Sequence, residues 1–292
     1  GGPAADSTAS VDPLTGQEQQ YSGQRPAAVV IDNAPGSTTQ WGIGSASVVL
    51  EAAARADTAP SLCLVYPSVS AMPTVGPVTL GQDLFWRLLS GQQVLPIQRG
   101  CDLYTRNFLD YWNLRAVDAL ETGRNAFTTG NTNWASPLWC TNGQSVAKVL
   151  GSLSLSSALS EDPAESADST QEGDTSAVPT VPALLPQQTD GHLPDADAAD
   201  AVQAAVQFPS GSTTRFAYDT DTGTYGMLHH DGSPQLDANT GTQAAFDNLL
   251  VLYSASTPRD DGRTLDYDLT MGGGLWLNGG HRWYITWTQG TG

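Results

Sequence analysis

Two acids and one amide that follow apolar runs are the residues best placed to do chemistry. Asp32 and Asn33 come directly after AAVVI, and Glu51 comes directly after VVL. Because α/β sheets usually bind ligands at the carboxyl ends of their strands, these three are candidate ligand-binding residues. A carboxylate pair such as Asp32 and Glu51 can hydrolyse a bond by general acid–base catalysis if burial raises the pKa of one member. In the structural alternative, Asp32 and Asn33 cap a turn, and Glu51 pairs with Arg25 or Arg55.

Two arginines and a tryptophan complete the candidate ligand-binding set: Arg99, Arg263 and Trp134. Trp134 lies in GNTNWASP, where Gly, Asn and Thr are typical of an exposed loop. Indole rings stack on the apolar faces of sugars, so a tryptophan in such a loop favours a glycan ligand. The same role is open to other tryptophans, although packing in a core explains most of them: Trp112, Trp139, Trp276, Trp283 and Trp287.

Neither a metal site nor a cofactor is predicted. Cys63, Cys101 and Cys140 form no CxxC motif and no cluster with histidine, which a zinc site needs. They are expected either as small buried hydrophobic residues or as one disulfide with a thiol left over. His229 and His230 are adjacent, so on a strand their side chains point to opposite faces and do not share a metal ion.

Two near copies of one motif, DTDTG at 219–223 and DANTG at 237–241, are predicted to be hairpin turns. Asp and Asn bond to their own backbone, and glycine adopts a positive φ, which explains both copies. A calcium loop needs an acid downstream that closes the site with both carboxylate oxygens, and neither copy is followed by such a Glu. A calcium-stabilised scaffold is kept as an alternative.

The elements that must position these residues change character near residue 200. Between 25 and 150 strands alternate with helices: AAVVID and SLCLVYPS have strand composition, and a helix is predicted from Asp102 to Gly123. After 200, apolar and polar residues alternate in short segments that Asp, Asn and Gly turns separate. The predicted fold class is α+β, with a mixed α/β N-terminal domain followed by a mainly antiparallel β C-terminal domain.

Charge divides the chain into four segments. The 292 residues carry 30 acids and 12 bases, a net charge of −18. Residues 1–24 hold 3 acids and 151–200 hold 10, with no base in either, so these segments account for −13 of the total. We interpret 1–24 as a flexible N-terminal tether and 151–200, rich in Ser, Pro and Ala, as a partly disordered linker. The domains are then 25–150 and 201–292, and the scarcity of basic residues excludes a nucleic-acid-binding surface.

Several short motifs occur in the order of a known family. VDPLTGQ, QRPAAVVIDNAPGSTTQWGIGSASVVLEA and VGPVTLGQD in the first half, with RFAYDTDTGTYGML, LTMGGGLWLNGG and ITWT in the second, resemble the YerB-like lipoproteins of the DUF3048 family. The resemblance implies a bacterial lipoprotein on the extracellular face of the membrane, held by an acylated cysteine ahead of residue 1 that this chain does not contain. It implies no catalytic activity and no cofactor.

The chain departs from that family's pattern at three places. Where the family tends to read GPVRS, residues 76–80 read GPVTL and lack the positive charge. Where the family tends to place a His-containing strand ahead of a Gly pair, residues 98–101 read QRGC. An anion-binding or proton-transfer site built on these positions would be altered or lost here. The family's GSG turn reads GGG, at 272–274.

The expected function is a binding or envelope-associated role at the cell surface, without enzymatic activity. The residues form no complete catalytic constellation, and the partner is expected to be a glycan or a protein of the cell envelope. Two alternatives stay open: a cell-envelope hydrolase that uses a carboxylate pair, and the calcium-stabilised scaffold. Membrane contact is expected only through the N-terminal lipid, and the oligomeric state is not specified.

Overall fold

A five-stranded mixed sheet forms the centre of the N-terminal domain. The computed structural model describes residues 11–37, 39–129, 138–161, 178–186, 193–194 and 199–290. The strands are β1 (Ala27–Ile31), β2 (Val48–Ala52), β3 (Ser61–Tyr66), β4 (Leu95–Gln98) and β5 (Val117–Asp118), in the order β2-β3-β1-β4-β5. β1, β4 and β5 are parallel, whereas β3 is antiparallel to both of its neighbours. β1 and β3 are buried throughout because both faces of the sheet are covered.

Three short helices cover the sheet. α1 (Asp83–Leu88) and α2 (Leu103–Tyr111) pack on one face. α3 (Gly143–Leu150) packs on the other face, beside a hairpin formed by β6 (Phe127–Thr129) and β7 (Trp139–Thr141). No helix in the described ranges has the length and the apolar character needed to cross a membrane.

The start of α2 is confirmed, and its predicted end is wrong. The carboxylate of Asp102 accepts the N-cap hydrogen bond at 2.8 Å. The helix ends at Tyr111 rather than at Gly123, because Asn113 adopts a φ of 48° and the chain turns back on the last helical turn. An asparagine in the left-handed conformation at this position commonly ends a helix.

Twelve strands build the described part of the C-terminal domain. They are β8 (Ala199–Asp200), β9 (Gln203–Gln207), β10 (Thr213–Asp219), β11 (Thr224–Leu228), β12 (Leu236–Asp237), β13 (Thr242–Gln243), β14 (Ala245–Phe246), β15 (Asn248–Leu252), β16 (Ser256–Pro258), β17 (Leu265–Tyr267), β18 (Met271–Asn278) and β19 (His281–Thr288). They form two four-stranded sheets, β14-β11-β10-β9 and β15-β18-β19-β8, and the hairpins β12-β13 and β16-β17. Their pairings are antiparallel, so the fold is α+β with a larger share of strand than of helix.

One apolar core is shared by the two halves of the chain. On the sheet face that carries α3, Val29 and Leu64 belong to the same buried cluster as Met227 and Ala244 of the C-terminal domain. A second cluster fills the space between the other sheet face and the helices α1 and α2. The cores of the two sequence segments are therefore continuous.

The structure differs from the prediction at the N-terminal tether. Residues 11–24, which belong to the predicted flexible segment 1–24, pack against the domain. Leu14 is buried in the cluster that holds Phe85 and Leu109. The composition of this segment is that of a flexible tether, yet it contains an apolar side chain that docks in the core, and its main chain bonds to Leu159 at Gly23.

Parts of the predicted linker 151–200 are held against the domain in the same way. Leu153 is buried in the shared core, and the N–H of Leu184 donates to the carbonyl of Pro13. These contacts show that described parts of the acidic segment contribute to packing. The rest of its middle, residues 162–177 and 187–192, for which disorder is predicted, lies outside the described residues.

The three cysteines are free thiols: Cys63, Cys101 and Cys140. The alternative of a disulfide with one thiol left over is therefore wrong. Burial raises the pKa of each thiol above its ordinary value. Cys63 is a small buried residue, as the other alternative states, whereas Cys101 and Cys140 are half-buried.

Candidate functional site

The predicted carboxylate pair is not brought together. Ile31 and Glu51 both lie opposite Leu62 of β3, so their side chains share one face of the sheet. Asp32 follows Ile31 by one residue, and the alternation of the strand directs it to the opposite face. Two strand spacings, about 10 Å, also separate the two backbones. Asp32 instead caps a turn, since its Oδ1 accepts a hydrogen bond from the N–H of Ala34 at 3.0 Å.

Asn33 and Glu51 enter a buried polar cluster between the two domains. We call it the junction cluster and define it by Asn33, Glu51, Thr214, His229 and His230. The Nε2 atom of His230 lies 2.9 Å from the main-chain oxygen of Asn33, and its Nδ1 atom lies 3.1 Å from that of Thr213. Because a carbonyl oxygen only accepts, both contacts are hydrogen bonds when both ring nitrogens carry protons.

The junction cluster contains polar atoms that no described residue satisfies. The buried atoms without a hydrogen bond to the described chain include Asn33 Oδ1 and Nδ2, Glu51 Oε2, Thr214 Oγ1 and His229 Nε2. Buried polar groups without partners are uncommon in native proteins and mark bound water, stored strain or a functional role. Polar residues that follow apolar runs therefore do lie in a chemically unusual environment. The predicted carboxylate pair is not formed there.

Burial makes Glu51 a weak acid. Desolvation raises the pKa of its carboxyl to about 7. The predicted ion pair of Glu51 with an arginine is wrong. Arg25 donates to the carbonyls of residues 93 and 94, and Arg55 pairs with Asp57. Below pH 7 the Glu51 carboxyl is mainly neutral, so it suits a hydrogen-bond donor better than a base.

A second carboxylate spans the same junction and is well paired. Asp237 is fully buried and accepts hydrogen bonds from the N–H of Gly42 at 3.1 Å and from the N–H of Gly44 at 2.9 Å. Both glycines belong to the N-terminal domain. Backbone N–H groups thus replace water around a buried negative charge. No sequence motif predicts this contact.

Both predicted turns are confirmed. Residues 219–223 connect β10 with β11, and residues 237–241 connect β12 with β13. Gly223 and Gly241 adopt φ values of 71° and 69°, which the motif predicts. Within the described residues no group of three or more His, Cys, Asp or Glu side chains is arranged to hold a metal ion.

Arg99 supports the backbone of a neighbouring segment. It follows β4, and its Nε donates to the carbonyl of Val78 at 3.1 Å. The contact joins 76–80 with 98–101, two of the stretches at which the chain departs from the family pattern. Because its Nε donates to this carbonyl, Arg99 helps to hold the two stretches together. It lies where the family tends to place a histidine-containing strand.

The last two candidates lie elsewhere. Arg263 is exposed in the turn between β16 and β17, where its main-chain N–H donates to the carboxylate of Asp261. Trp134 lies outside the described residues. Arg263 is not part of the junction cluster, so the described candidates do not form one site.

An ion pair between the domains borders an open groove. Arg259, which follows β16, contacts both carboxylate oxygens of Asp83 at 3.1 and 2.7 Å. Arg87, one turn further along α1, contacts Asp266 at 3.4 Å. These last two residues line, with Gln289, a groove of about 630 Å³. The groove is open and has both polar and apolar walls, which suits a loosely held ligand better than an enclosed reaction.

A row of aromatic side chains lies on one face of the sheet formed by β15, β18 and β19. Leu250, Trp276 and Trp283 are cross-strand neighbours, and Trp287 lies on the same face two rows further along. The rings of Trp276 and Trp283 are 4.8 Å apart. Trp276 and Trp287 are half-buried and Leu252 is exposed, so this part of the surface is accessible. Trp283 is buried, and its indole N–H donates to the carbonyl of Pro194 at 3.1 Å. We call this surface the tryptophan face and define it by Leu250, Leu252, Trp276, Trp283, Ile285 and Trp287.

Polar side chains form the next row at one end of the tryptophan face. Asn248, Asn278 and His281 are cross-strand neighbours there. The Oδ1 atom of Asn248 accepts hydrogen bonds from Trp276 Nε1 at 3.0 Å and from Asn278 Nδ2 at 2.8 Å. These bonds fix the orientation of the indole and leave amide and imidazole groups beside it.

Glycines let the ring of Trp287 approach the backbone. The predicted turn at 272–274 is instead part of β18. A Cβ atom on Gly272 would lie 2.7 Å from the Trp287 ring, closer than two carbon atoms can pack. The indole N–H of Trp287 also donates to the carbonyl of Gly273 at 2.9 Å. The first glycine of the GGG motif is therefore required by the close approach of the tryptophan ring rather than by a turn.

The mixed sheet, the antiparallel β half and their continuous core define a two-part α+β protein without an enclosed catalytic centre in its described residues. The family models described as "Protein of unknown function (DUF3048) N-terminal domain" and its C-terminal counterpart match residues 14–155 and 204–292. The chain belongs to the DUF3048 family, and the resemblance seen in the sequence is confirmed.

One curated relative and one solved structure extend this assignment. "Putative lipoprotein YerB" of Bacillus subtilis (strain 168) is 27% identical over 284 residues, which cover 95% of this chain and 77% of the relative. The crystal structure of YerB protein from Bacillus subtilis matches with a TM-score of 0.76 and 21% identity, covering 96% of this chain and 87% of that chain. At this identity the structural match supports the fold alone.

Proposed function

We propose that this protein is a non-enzymatic binding protein of the bacterial cell surface and that its tryptophan face binds a glycan of the cell envelope. The Bacillus subtilis relative is named a putative lipoprotein, which supports a lipid anchor. The observation that carries the proposal is the partial exposure of Trp276 and Trp287 on one face of a sheet. Large aromatic side chains in a purely structural sheet are usually covered.

The chemistry of the tryptophan face suits a neutral polysaccharide. None of its six residues is charged. Four rows of side chains, from Asn278 to Trp287, span about 20 Å at the spacing of β-strands, which gives room for several linked sugar rings. The apolar face of a sugar stacks on an indole, and its hydroxyl groups bond to the neighbouring amides.

The hydrolase alternative has less support from the geometry. Asp32 and Glu51 point to opposite faces of the sheet, and Asp32 is engaged in a turn. A retaining or inverting carboxylate pair must face one substrate from two sides, which this arrangement does not allow. The binding role is therefore preferred.

Binding is tested with the soluble chain and insoluble peptidoglycan, followed by titration with soluble wall fragments. We expect Trp276→Ala and Trp287→Ala to weaken binding at least about tenfold, the loss of one stacking contact. Tyr284→Ala is the matched control, because Tyr284 is 76% exposed on the opposite face of the same strand.

Equal binding by the native chain and both tryptophan variants would contradict the proposal, as would the absence of binding to every wall fragment. If the native chain released soluble sugar from the wall and Glu51→Gln abolished that release, the hydrolase alternative would be supported instead. The two outcomes are separated because the binding variants lie far along the sequence from β2.

A further inference from the structure

Two adjacent aromatic side chains project from the end of α2 into solvent. Tyr111 is 80% exposed and Trp112 is 66% exposed, and their rings meet edge to face at a centroid distance of 5.1 Å. Neither ring belongs to the buried clusters of the described chain. A pair of exposed rings that contact each other rather than a core marks a surface for interaction.

The topology places this pair at the edge of the sheet where the chain enters the domain. β4 and β5 are parallel to β1, and α2 connects the end of β4 to the start of β5. The last turn of α2 therefore lies at the edge where β1 begins. The N-terminal segment 11–24 leads into β1 at that same edge.

Further apolar side chains are exposed at this edge. Val11 and Val178 each expose more than half of their surface. Val11 borders a small cleft with Gly23 and Pro26, directly ahead of β1, and Val178 lies against Gly23. We call this surface the basal edge and define it by Val11, Tyr111, Trp112 and Val178.

We propose that the basal edge contacts the lipid bilayer directly, with Tyr111 and Trp112 in the interfacial zone of the membrane. The inference rests on the proposed function in one respect, the lipid anchor ahead of Val11. An anchor on that side draws this edge of the sheet toward the bilayer. Tyrosine and tryptophan are the side chains that favour the membrane–water interface, because each combines an apolar ring with a polar hydrogen-bonding group.

A bilayer fits this surface better than a second protein does. A stable protein interface buries about 800 Å² on each partner, and four side chains at an edge offer much less. A tethered molecule needs only a weak contact, because the anchor supplies a high local concentration. The exposed charges next to the rings, on Asp110 and Arg115, have opposite signs. The contact therefore does not depend on anionic lipid.

The test uses the full chain with an N-terminal polyhistidine sequence, bound to phosphatidylcholine vesicles that contain a nickel-chelating lipid. Brominated phosphatidylcholine quenches the emission of tryptophans that touch the bilayer. The chain has 8 tryptophans, so we expect emission to fall by about one eighth when brominated lipid replaces ordinary lipid. Trp112→Phe should abolish this fall, whereas Trp276→Phe removes one indole from another surface and should preserve it.

Equal emission on both kinds of vesicle would overturn the inference, and so would quenching that survives in Trp112→Phe. Quenching that occurs only after addition of phosphatidylglycerol would also overturn it, because adsorption would then depend on charge. The nickel lipid replaces the natural anchor. Failure here therefore leaves the proposed surface location, tested by cell fractionation, and the glycan binding of the tryptophan face unaffected.

Discussion

At the scale of single residues, Glu51 is kept neutral by its surroundings. Burial raises the pKa of its carboxyl from 4.5 to about 7. The folded protein therefore binds one more proton than the unfolded chain between pH 4.5 and pH 7. A raised acid pKa stabilises the fold fully below the lower value, and this contribution is lost as the pH rises through the higher one.

Replacement of Glu51 by glutamine should remove this pH dependence. The native free energy of unfolding is expected to fall by about 3 kcal/mol between pH 4.5 and pH 7 from this group alone, and Glu51→Gln should abolish that part of the fall. The measurement is urea denaturation at pH 5 and pH 8. Glu18→Gln, at an exposed position, is the control and should behave like the native chain.

An equal loss of stability in the native chain and in Glu51→Gln would show that the carboxyl is ionised at both pH values. His230 is unchanged in both proteins, so the comparison isolates the contribution of Glu51. The junction cluster would then need another explanation for its unpaired atoms.

Some candidate residues could be predicted from sequence because their signal is local. Asn33 follows β1 and Glu51 follows an apolar run within β2, and both lie in the junction cluster. Their environment could not be predicted, since Thr214 and the histidines come from strands more than 160 positions away. The tryptophan face has a local signal in the sequence, because Trp283, Ile285 and Trp287 alternate and so lie on one face of a strand. Sequence alone does not show whether that face is packed in a core or exposed.

At the scale of elements, the two near-identical turns at 219–223 and 237–241 make different contacts. Asp219 and Asp237 each accept a hydrogen bond from the N–H two residues later, at 2.8 Å in both. Asp237 alone also receives N–H groups from the other domain, those of Gly42 and Gly44. The local motif is the same, and burial at the junction makes the difference.

Alanine substitution at the two positions should separate these contacts. Asp237→Ala leaves two additional N–H groups buried without partners and is expected to cost about 2–4 kcal/mol of unfolding free energy. Asp219→Ala breaks only an exposed turn contact and should cost less than about 1 kcal/mol. Denaturant unfolding of both variants provides the measurement. Similar losses in the two variants would contradict the proposed importance of the junction contact.

Local sequence patterns predict the strands and the start of α2, but they do not predict where α2 ends. The apolar runs predict β1 and β3, and the Asp102 cap predicts the start of α2. The periodic pattern continues beyond Tyr111, yet the left-handed Asn113 ends the helix, and a single-residue conformation of this kind leaves little trace in hydrophobic periodicity. The GGG motif reads as a turn until the position of Trp287 is known.

At the scale of the whole molecule, the two family-matched halves depend on one core. Met227 and Ala244 are almost completely buried among side chains of the N-terminal sheet, and Phe216 and Phe246 pack against them. Hydrogen bonds at Asp237 and the ion pair of Arg259 add polar contacts along the same junction. Removal of either half would expose this apolar surface to water.

A fragment of residues 1–161 is therefore expected not to unfold cooperatively, whereas the full chain should show one transition. The fragment should also bind a dye that detects exposed apolar surface. Circular dichroism and tryptophan fluorescence during urea unfolding provide the comparison. A sharp transition of the fragment near the midpoint of the full chain would show that the N-terminal half is an independent folding unit.

Composition predicted the segments of the chain better than their packing. Charge separates acidic stretches from more neutral ones, and the family membership follows from short motifs. Docking of 11–24 depends mainly on Leu14, and one apolar side chain does not alter the average composition of a segment. Similarly, the shared core could not be predicted because periodicity shows that a face is buried and not what buries it.

The Asp237 contact has a consequence for the response of the molecule to ionic strength. Its partners are peptide N–H dipoles in a buried place, which dissolved ions cannot approach, so added salt should leave the contact intact. The half-exposed pair of Arg87 and Asp266, by contrast, lies where counterions compete. Concentrated salt is therefore expected to weaken the ion pair at the rim of the groove while the Asp237 contact continues to join the two halves.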